Sequence, residues 1–147
     1  MKAIKKLSLL VPLLFSIVIT NGQQAEKTFV KSFNVKDVQL VLLDLDGKIE
    51  VKEWNNSDLM RVQIKVGLEN GTVAMLKSLV EAGRYNLHSN DESGDYKVFA
   101  PGLARQVKFR GQDLLENISY TVFAPENVTI KLNNEVSTAV DADDSSM

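Results

Sequence analysis

Few residues in this chain of 147 residues are of the types that perform chemistry. There is no cysteine and a single histidine, His88, so thiolate zinc sites, iron–sulfur clusters and cysteine nucleophiles are excluded. His88 has no second histidine at metal-ligand spacing, and there is no Ser-His-Asp set, phosphate loop or zinc signature. The sequence therefore predicts no catalytic residue, no metal site and no cofactor, and we interpret His88 as a surface histidine.

Two aspartates supply the alternative interpretation. The segment Asp44-Leu45-Asp46-Gly47, which follows an apolar run, resembles the first motif of haloacid-dehalogenase-like phosphatases. This resemblance implies that Asp44 attacks phosphorus and Asp46 handles the leaving-group proton, with the help of Mg²⁺. Lys48 stands where that motif has threonine or valine, and the chain lacks the strand–helix alternation of a doubly wound sheet. We favour a hairpin turn at Asp46-Gly47, because both residue types tolerate positive φ; a Mg-dependent phosphatase or other hydrolase using Asp44 and Asp46 is the alternative hypothesis.

Four residues are candidates for binding. Trp54 stands at the end of a predicted strand, where its ring either stacks on a sugar or closes the end of a sheet core. Arg105, Lys108 and Arg110 form a basic segment in an acidic chain, and they either contact an anionic partner or form the solvated face of a strand. The predicted partner is an unknown envelope protein or a glycan.

The elements that must position these residues are mainly strands. Residues 38–45, 48–52 and 60–66 alternate or run apolar as strands do, and a turn signal separates each from the next, which predicts a three-stranded antiparallel meander. Residues 72–82 change to a helical period, and a glycine follows them. The predicted fold is mainly β, an antiparallel meander in a sandwich or short solenoid architecture, with one amphipathic helix at about residues 72–82.

An internal repeat supports a repetitive β architecture. Residues 96–101 (YKVFAP) return as residues 120–125 (YTVFAP), with five of the six positions identical. Because the same residues meet the same local demands, we predict two equivalent strands in one sheet or in successive coils. Val98 and Val122 should then share an orientation, and each strand should end at its proline.

The composition along the chain predicts three parts and a compartment. Residues 1–22 read as a signal peptide, since three lysines precede an apolar run of 13 residues, shorter than the roughly 20 residues that span a membrane. Residues 23–136 are predicted to form a single β-rich domain and residues 137–147 a disordered acidic tail. Removal of three of the 17 basic residues leaves 14 against 19 acidic ones, which disfavours nucleic acid. We expect a periplasmic, cell-surface or extracellular protein, with no membrane insertion after signal removal.

Residues 43–54 (LDLDGKIEVKEW) and 59–66 (LMRVQIKV) resemble a bacterial family of secreted, adhesin-like proteins of unknown function. That family has Gly-x-Ile-x-Val repeats, a turn containing tryptophan, and a β-solenoid or β-sandwich fold. Residues 118–128 are similar to its element of strand, proline, acidic turn and strand. The chain lacks the further Gly-x-Ile-x-Val copies that usually follow, so it corresponds to a short form. The resemblance implies an exported, non-catalytic domain with a binding or structural role in the cell envelope, and it supplies no catalytic residues.

Overall fold

The computed structural model describes residues 24–56, 58–91 and 94–133. The predicted signal peptide (1–22) and acidic tail (137–147) lie outside the described residues. No helix of the described part is long and apolar enough to span a membrane. The elements in chain order are β1 (Ala25–Asn34), β2 (Leu40–Asp44), β3 (Lys48–Trp54), β4 (Leu59–Leu68), α1 (Val73–Glu81), β5 (His88–Asn90), β6 (Tyr96–Phe99), a 3₁₀ helix (Pro101–Ala104), β7 (Lys108–Phe109), β8 (Gln112–Asp113), β9 (Glu116–Pro125) and β10 (Thr129–Leu132).

Most strands belong to two four-stranded sheets. The strand order is β1-β4-β9-β3 in sheet A and β10-β2-β6-β5 in sheet B, while β7 and β8 form a separate hairpin. Strands of both sheets bury one face in the same hydrophobic core, because their apolar side chains recur at every second position. The mainly β prediction is confirmed, and two sheets that share one core form a sandwich. The alternation is clearest in β4, whose buried side chains are Met60, Val62, Ile64, Val66 and Leu68.

The predicted antiparallel meander is wrong, because β2 and β3 belong to different sheets. β2 lies between β10 and β6 and is parallel to both, whereas β3 is parallel to β9 at the edge of sheet A. The Asp46-Gly47 segment therefore carries the chain from one sheet to the other and is not a hairpin turn. A hairpin turn within one sheet and a short connection between two sheets both require a sharp change of chain direction. The Asp-Gly turn signal therefore does not distinguish them. The distant partner strands β9 and β10 determine the pairing.

Gly47 allows this crossing chain to pass close to sheet A. Its φ of 132° lies in a region that residues with a side chain rarely adopt. A Cβ atom at this position would lie 2.6 Å from the backbone oxygen of Ile118 in β9. Glycine is therefore required here for close approach between two segments of backbone.

The helix prediction is confirmed. α1 lies inside the predicted range 72–82 and begins after Thr72, whose hydroxyl accepts a 3.1 Å hydrogen bond from the backbone N–H of Met75. Gly83 follows the helix with a φ of 79°, as helix-ending glycines do. Leu76 is buried in the core, and α1 lies beside β1.

The two copies of the repeat lie in different sheets. The first copy begins with β6 in sheet B and the second ends β9 in sheet A, so the predicted placement in one sheet is wrong. Each copy nevertheless runs parallel to an earlier strand, with Val98 beside Leu43 and Val122 beside Val51. Val98 and Val122 are both fully buried. The repeat therefore reflects one local demand, an inward valine on a parallel strand, that is met once in each sheet.

Gly47→Ala tests the close crossing between the sheets. We expect the substitution to lower the free energy of unfolding by at least about 2 kcal/mol, because the added Cβ meets backbone that cannot shift without disturbing β9. Gly111 is the control, since its φ is also positive at 77° but an added Cβ would meet nothing within 4 Å. Gly111→Ala should cost only about 1 kcal/mol. Equal losses for the two variants in urea unfolding would show that the crossing is not tightly packed.

Candidate functional site

Trp54 is the last residue of β3 and lies on the outer face of sheet A, beside Pro125 of β9. Its side chain is half-buried and is not part of the hydrophobic core, so it does not close the end of that core. The indole N–H donates a 2.8 Å hydrogen bond to the backbone oxygen of Leu59. Because this bond occupies the N–H and fixes the ring, the flat ring surface is the part of Trp54 that can contact a ligand.

Two side chains from neighbouring strands pack around Trp54. The ring centre of Phe123 lies 6.0 Å from that of Trp54, with the planes tilted by 42°. The guanidinium carbon of Arg61 lies 4.9 Å from the Trp54 ring centre, which is a cation–π contact. The strand register explains the convergence, because Arg61 on β4 lies opposite Phe123 on β9, and Phe123 lies beside Lys52, two residues before Trp54.

The turn after β3 forms an open depression of about 500 Å³ beside the ring. Asn56 builds this turn, since its side-chain oxygen accepts 3.0 Å hydrogen bonds from the backbone N–H groups of Asp58 and Leu59. The depression is lined by Glu53, Trp54, Asn55, Asn56, Glu126 and Asn127. We call Trp54, Phe123, Arg61 and this depression the Trp54 surface.

The Trp54 surface combines the groups that recognise carbohydrate. The Arg61 guanidinium lies over one face of the Trp54 ring, so the C–H face of a sugar ring can stack only on the part of the ring that Arg61 leaves uncovered. The carboxamides of Asn55 and Asn127 can donate and accept hydrogen bonds, and the carboxylate of Glu126 can accept them from hydroxyl groups. Stacking and hydrogen bonding are therefore available within one small area.

The three basic candidates belong to a different part of the molecule. Arg105 follows the 3₁₀ helix, and Lys108 and Arg110 belong to the hairpin of β7 and β8; all three are exposed. The expected strand covers only Lys108–Phe109, because Arg110 and Gly111 form the turn, with positive φ angles of 51° and 77°. Among the described residues, no carboxylate forms an ion pair with any of the three cations.

The length of β9 separates this basic segment from the Trp54 surface. β9 ends at Pro125 beside Trp54 and begins at Glu116, where the basic segment is attached. Its ten residues span roughly 30 Å. The structure therefore brings Trp54 together with Arg61 and Phe123, which sequence reasoning missed, and keeps it apart from the basic candidates.

A buried ion pair holds the basic segment in place. Arg84 Nε and Nη2 donate hydrogen bonds of 2.9 and 2.5 Å to the two carboxylate oxygens of Glu116, and the two side chains are only 8% and 11% exposed. The hydroxyl of Tyr85 donates a 2.5 Å hydrogen bond to the same carboxylate. Arg84 Nη1 also donates to the backbone oxygens of Gly102 and Arg105, at 3.0 and 2.7 Å. One guanidinium thereby joins the start of β9 to the segment that leads into β7.

The charges of this cluster are fixed around neutral pH. Burial by itself raises the pKa of Glu116, but the hydrogen bonds from Arg84 and Tyr85 and the charge of Arg84 outweigh burial and hold its pKa below the ordinary value of 4.5. The hydrogen bond to Glu116 raises the pKa of Arg84, and burial, followed by the hydrogen bond to Glu116, raises the pKa of Tyr85. The cluster therefore serves to join segments of the chain and not to exchange protons near neutral pH.

Asp44, the nucleophile of the alternative hypothesis, has both carboxylate oxygens engaged. Lys97 Nζ lies 2.9 Å from Oδ2, and the Asn133 carboxamide donates a 2.9 Å hydrogen bond to Oδ1. The hydrogen bond from Lys97, followed by that from Asn133, holds the pKa of Asp44 below its ordinary value. Asp46 is exposed on the crossing to β3, and His88 is exposed on β5. In the part of the chain that the structure describes, no group of three or more His, Cys, Asp or Glu side chains is placed to hold a metal ion.

No protein-family model and no curated protein sequence matches this chain. Among solved structures, a "putative cell adhesion protein" from Clostridium sporogenes is similar to it, with a TM-score of 0.35 and a sequence identity of 13%. The similarity covers 72% of this chain and 46% of that protein, so the chain spans less than half of the length of that neighbour. A likeness at this level assigns no role to individual residues.

Acid unfolding should reveal the Glu116 ion pair. Because the pKa of Glu116 is lowered from 4.5 in the folded protein, its ionised form stabilises the fold above that pH, and this stabilisation is lost as the pH falls through the folded pKa. Glu116→Gln should lower the free energy of unfolding by about 3 kcal/mol at neutral pH and should flatten its dependence on pH below 4.5. Asp44→Asn, at an exposed ion pair, should have a smaller effect at neutral pH. A Glu116→Gln variant as stable as the parent in urea at neutral pH would contradict a joining role.

Two tyrosines allow a matched test of the same cluster. Tyr85→Phe removes the hydrogen bond to Glu116 and should cost about 2 kcal/mol of unfolding free energy. The buried hydroxyl of Tyr120 has no hydrogen-bond partner among the described residues, and burial raises the pKa of Tyr120 to about 12. Tyr120→Phe should therefore change the stability by less than about 0.5 kcal/mol or increase it. The reverse order in thermal or urea unfolding would contradict these assignments.

Proposed function

We propose that this chain is an exported, non-catalytic binding domain of the bacterial cell envelope, adhesin-like in role, which binds carbohydrate through the Trp54 surface. The observation that carries the proposal is the convergence of Trp54, Phe123 and Arg61 on the outer face of sheet A. These side chains come from three different strands, and none of them belongs to the hydrophobic core. Their arrangement therefore contributes little to the core and is available for contact with a partner.

The shape of the Trp54 surface favours carbohydrate over a small apolar ligand. Apolar small molecules bind in concave pockets that bury most of their surface and are lined mainly by apolar side chains. The depression beside Trp54 is open, and apart from the indole its lining is made of carboxamides and carboxylates. Sugar residues suit such a site, because they can stack one face on the ring and exchange hydrogen bonds along their edges.

The envelope location rests on the N-terminal sequence. The lysines, the apolar run and the small residues that follow it, within residues 1–22, fit a secretory signal, and the resemblance to secreted adhesin-like proteins points in the same direction. The proposed location is the periplasm, the cell surface or the extracellular space. Envelope polysaccharides are the carbohydrates that a protein there would meet.

The hydrolase alternative at Asp44 and Asp46 has less support. A carboxylate nucleophile must present an oxygen to phosphorus, whereas both oxygens of Asp44 contact Lys97 or Asn133. Hydrolysis of p-nitrophenyl phosphate that requires Mg²⁺ and disappears in Asp44→Asn would favour the hydrolase over the binding domain.

Carbohydrate binding can be measured with a glycan array and with isolated peptidoglycan and envelope polysaccharides. For a glycan that binds the parent protein, Trp54→Ala should weaken the affinity at least tenfold, about 1.4 kcal/mol, because stacking is lost. Phe123→Ala and Arg61→Ala should weaken it less, since they support the ring. Phe99→Ala is the control, because Phe99 carries a comparable contact on sheet B, with Lys97 Nζ 5.8 Å from its ring centre. This control should bind like the parent.

Two outcomes would contradict the proposal. Binding that survives Trp54→Ala but is lost when Arg105, Lys108 and Arg110 are all replaced by glutamate would move the site to the basic segment. Absence of binding to every tested polysaccharide would contradict carbohydrate as the ligand.

A further inference from the structure

The strand β3 forms one edge of sheet A, and β1 forms the other. Among the described residues, β3 pairs with β9 and with no other strand. No strand of the described residues pairs with the other side of β3, and edges of this kind readily pair with another chain. The interaction that this edge favours can be read from its side chains.

The side chains of β3 alternate in charge on one face and include an exposed apolar residue on the other. Lys48, Glu50 and Lys52 point to the outer face of sheet A, together with Trp54, because successive side chains alternate between faces. Val51 points to the inner face and is 43% exposed, although Val122, its neighbour on β9, is fully buried. The core of the sandwich therefore ends at Val51 without being covered.

We propose that two copies of this chain associate through their β3 strands, which pair antiparallel. The twofold axis of the pair passes midway between the two Val51 residues. In this register Val51 faces Val51 of the second copy. Glu50 faces Lys52 of the second copy, and Lys52 faces its Glu50. The strand is thus complementary to itself, as a twofold interface requires.

The charges select this register over its neighbours. A second copy whose sheet faces the same way can shift only by an even number of residues, because a shift by one would turn every side chain to the other face. Centring the pair on residue 50 places Glu50 opposite Glu50 and Lys48 opposite Lys52. Centring it on residue 52 places Lys52 opposite Lys52. Like charges directly opposite each other are destabilising, so the Val51 register is favoured.

The remaining positions are compatible with this register. Lys48 lies opposite Trp54 of the second copy, whose ring is held by Arg61 and by its hydrogen bond to Leu59, so no like charges meet at this position. Ile49 lies opposite Glu53, whose side chain is exposed. The pairing would join the two copies of sheet A into one continuous sheet of eight strands. Because the contact occupies the β3 edge of both copies, no third copy can add through β3 and the assembly stops at a dimer.

Disulfide trapping tests the register. The chain has no cysteine of its own, so Val51→Cys introduces a single thiol beside the proposed axis. The Cβ atoms of directly opposite residues lie about 4.5–5.5 Å apart, close enough for a disulfide after a small adjustment. The variant is expressed as the full chain and purified in whatever processed form the cell yields. We expect mild oxidation of this purified protein to produce a covalent dimer. Val30→Cys is the control, since Val30 is 57% exposed on β1 at the opposite edge of sheet A, and it should cross-link at least about tenfold more slowly.

A charge swap tests the pairing without cysteine. Sedimentation of the parent protein should show a monomer–dimer equilibrium. E50K or K52E alone should weaken the dimer at least about tenfold, because each places like charges opposite each other, and the double variant E50K/K52E should restore it. E81K and K77E are controls with the same changes in net charge, at an exposed ion pair on α1, and should leave the equilibrium unchanged. Circular dichroism verifies that each variant is folded.

Three results would overturn the proposal. The first is a parent protein that stays monomeric at the highest soluble concentration, together with equal cross-linking of Val51→Cys and Val30→Cys. The second is a double variant that dissociates as much as either single variant. The third is growth into open oligomers larger than a dimer, since a twofold contact closes.

Discussion

The arrangement of the molecule depends on the buried ion pair between Arg84 and Glu116. Two charges that are almost hidden from water are stable only while they hold each other, because the loss of either leaves the other unpaired in the interior. Arg84 also donates hydrogen bonds to two backbone oxygens in and just after the 3₁₀ helix, and that segment packs so closely that a Cβ at Gly102 would collide with the backbone oxygen of Arg84. The pair therefore anchors the first residue of β9. Because β9 lies between β4 and β3, its position determines whether Phe123, Arg61 and Trp54 meet at the far end.

The sequence predicted strands where apolar residues alternate, and failed where the core-facing positions are polar. β1 was missed because Lys27 and Lys31 share the core-facing side of the strand with Phe29, which lies between them. The alternation of apolar and polar residues is therefore hidden. Lys31 is tolerated there because its ammonium group donates a 2.8 Å hydrogen bond to the backbone oxygen of Leu87. β2 and β3 were recognised as strands, but not their partners, since pairing with β9 and β10 depends on residues far away in the chain. The helix was predicted well, because its cap, its period and its final glycine are local signals.

The same distinction applies to the candidate site. Trp54 was identified from its position at a strand end, but Arg61 and Phe123 carry no local mark that would assign them to the same surface. Their convergence follows from register, which single-sequence patterns do not contain. Arg84 and Glu116, 32 residues apart, were missed for the same reason. One signal was present for Glu116, since it lies between the apolar residues Leu115 and Ile118 at the start of a predicted strand, and a charge that becomes buried there needs a partner.

The parallel pairing of β2 with β10 has a consequence for the order of folding. Asp44 and Asn133, which are hydrogen-bonded at this junction, are 89 residues apart in the chain. Contacts between such distant segments form slowly, because a long loop must close before they contribute any stability. Sheet B lacks one of its four strands until β10 has been synthesised. Sheet B, and the part of the core that it covers, therefore cannot be completed while β10 is still on the ribosome.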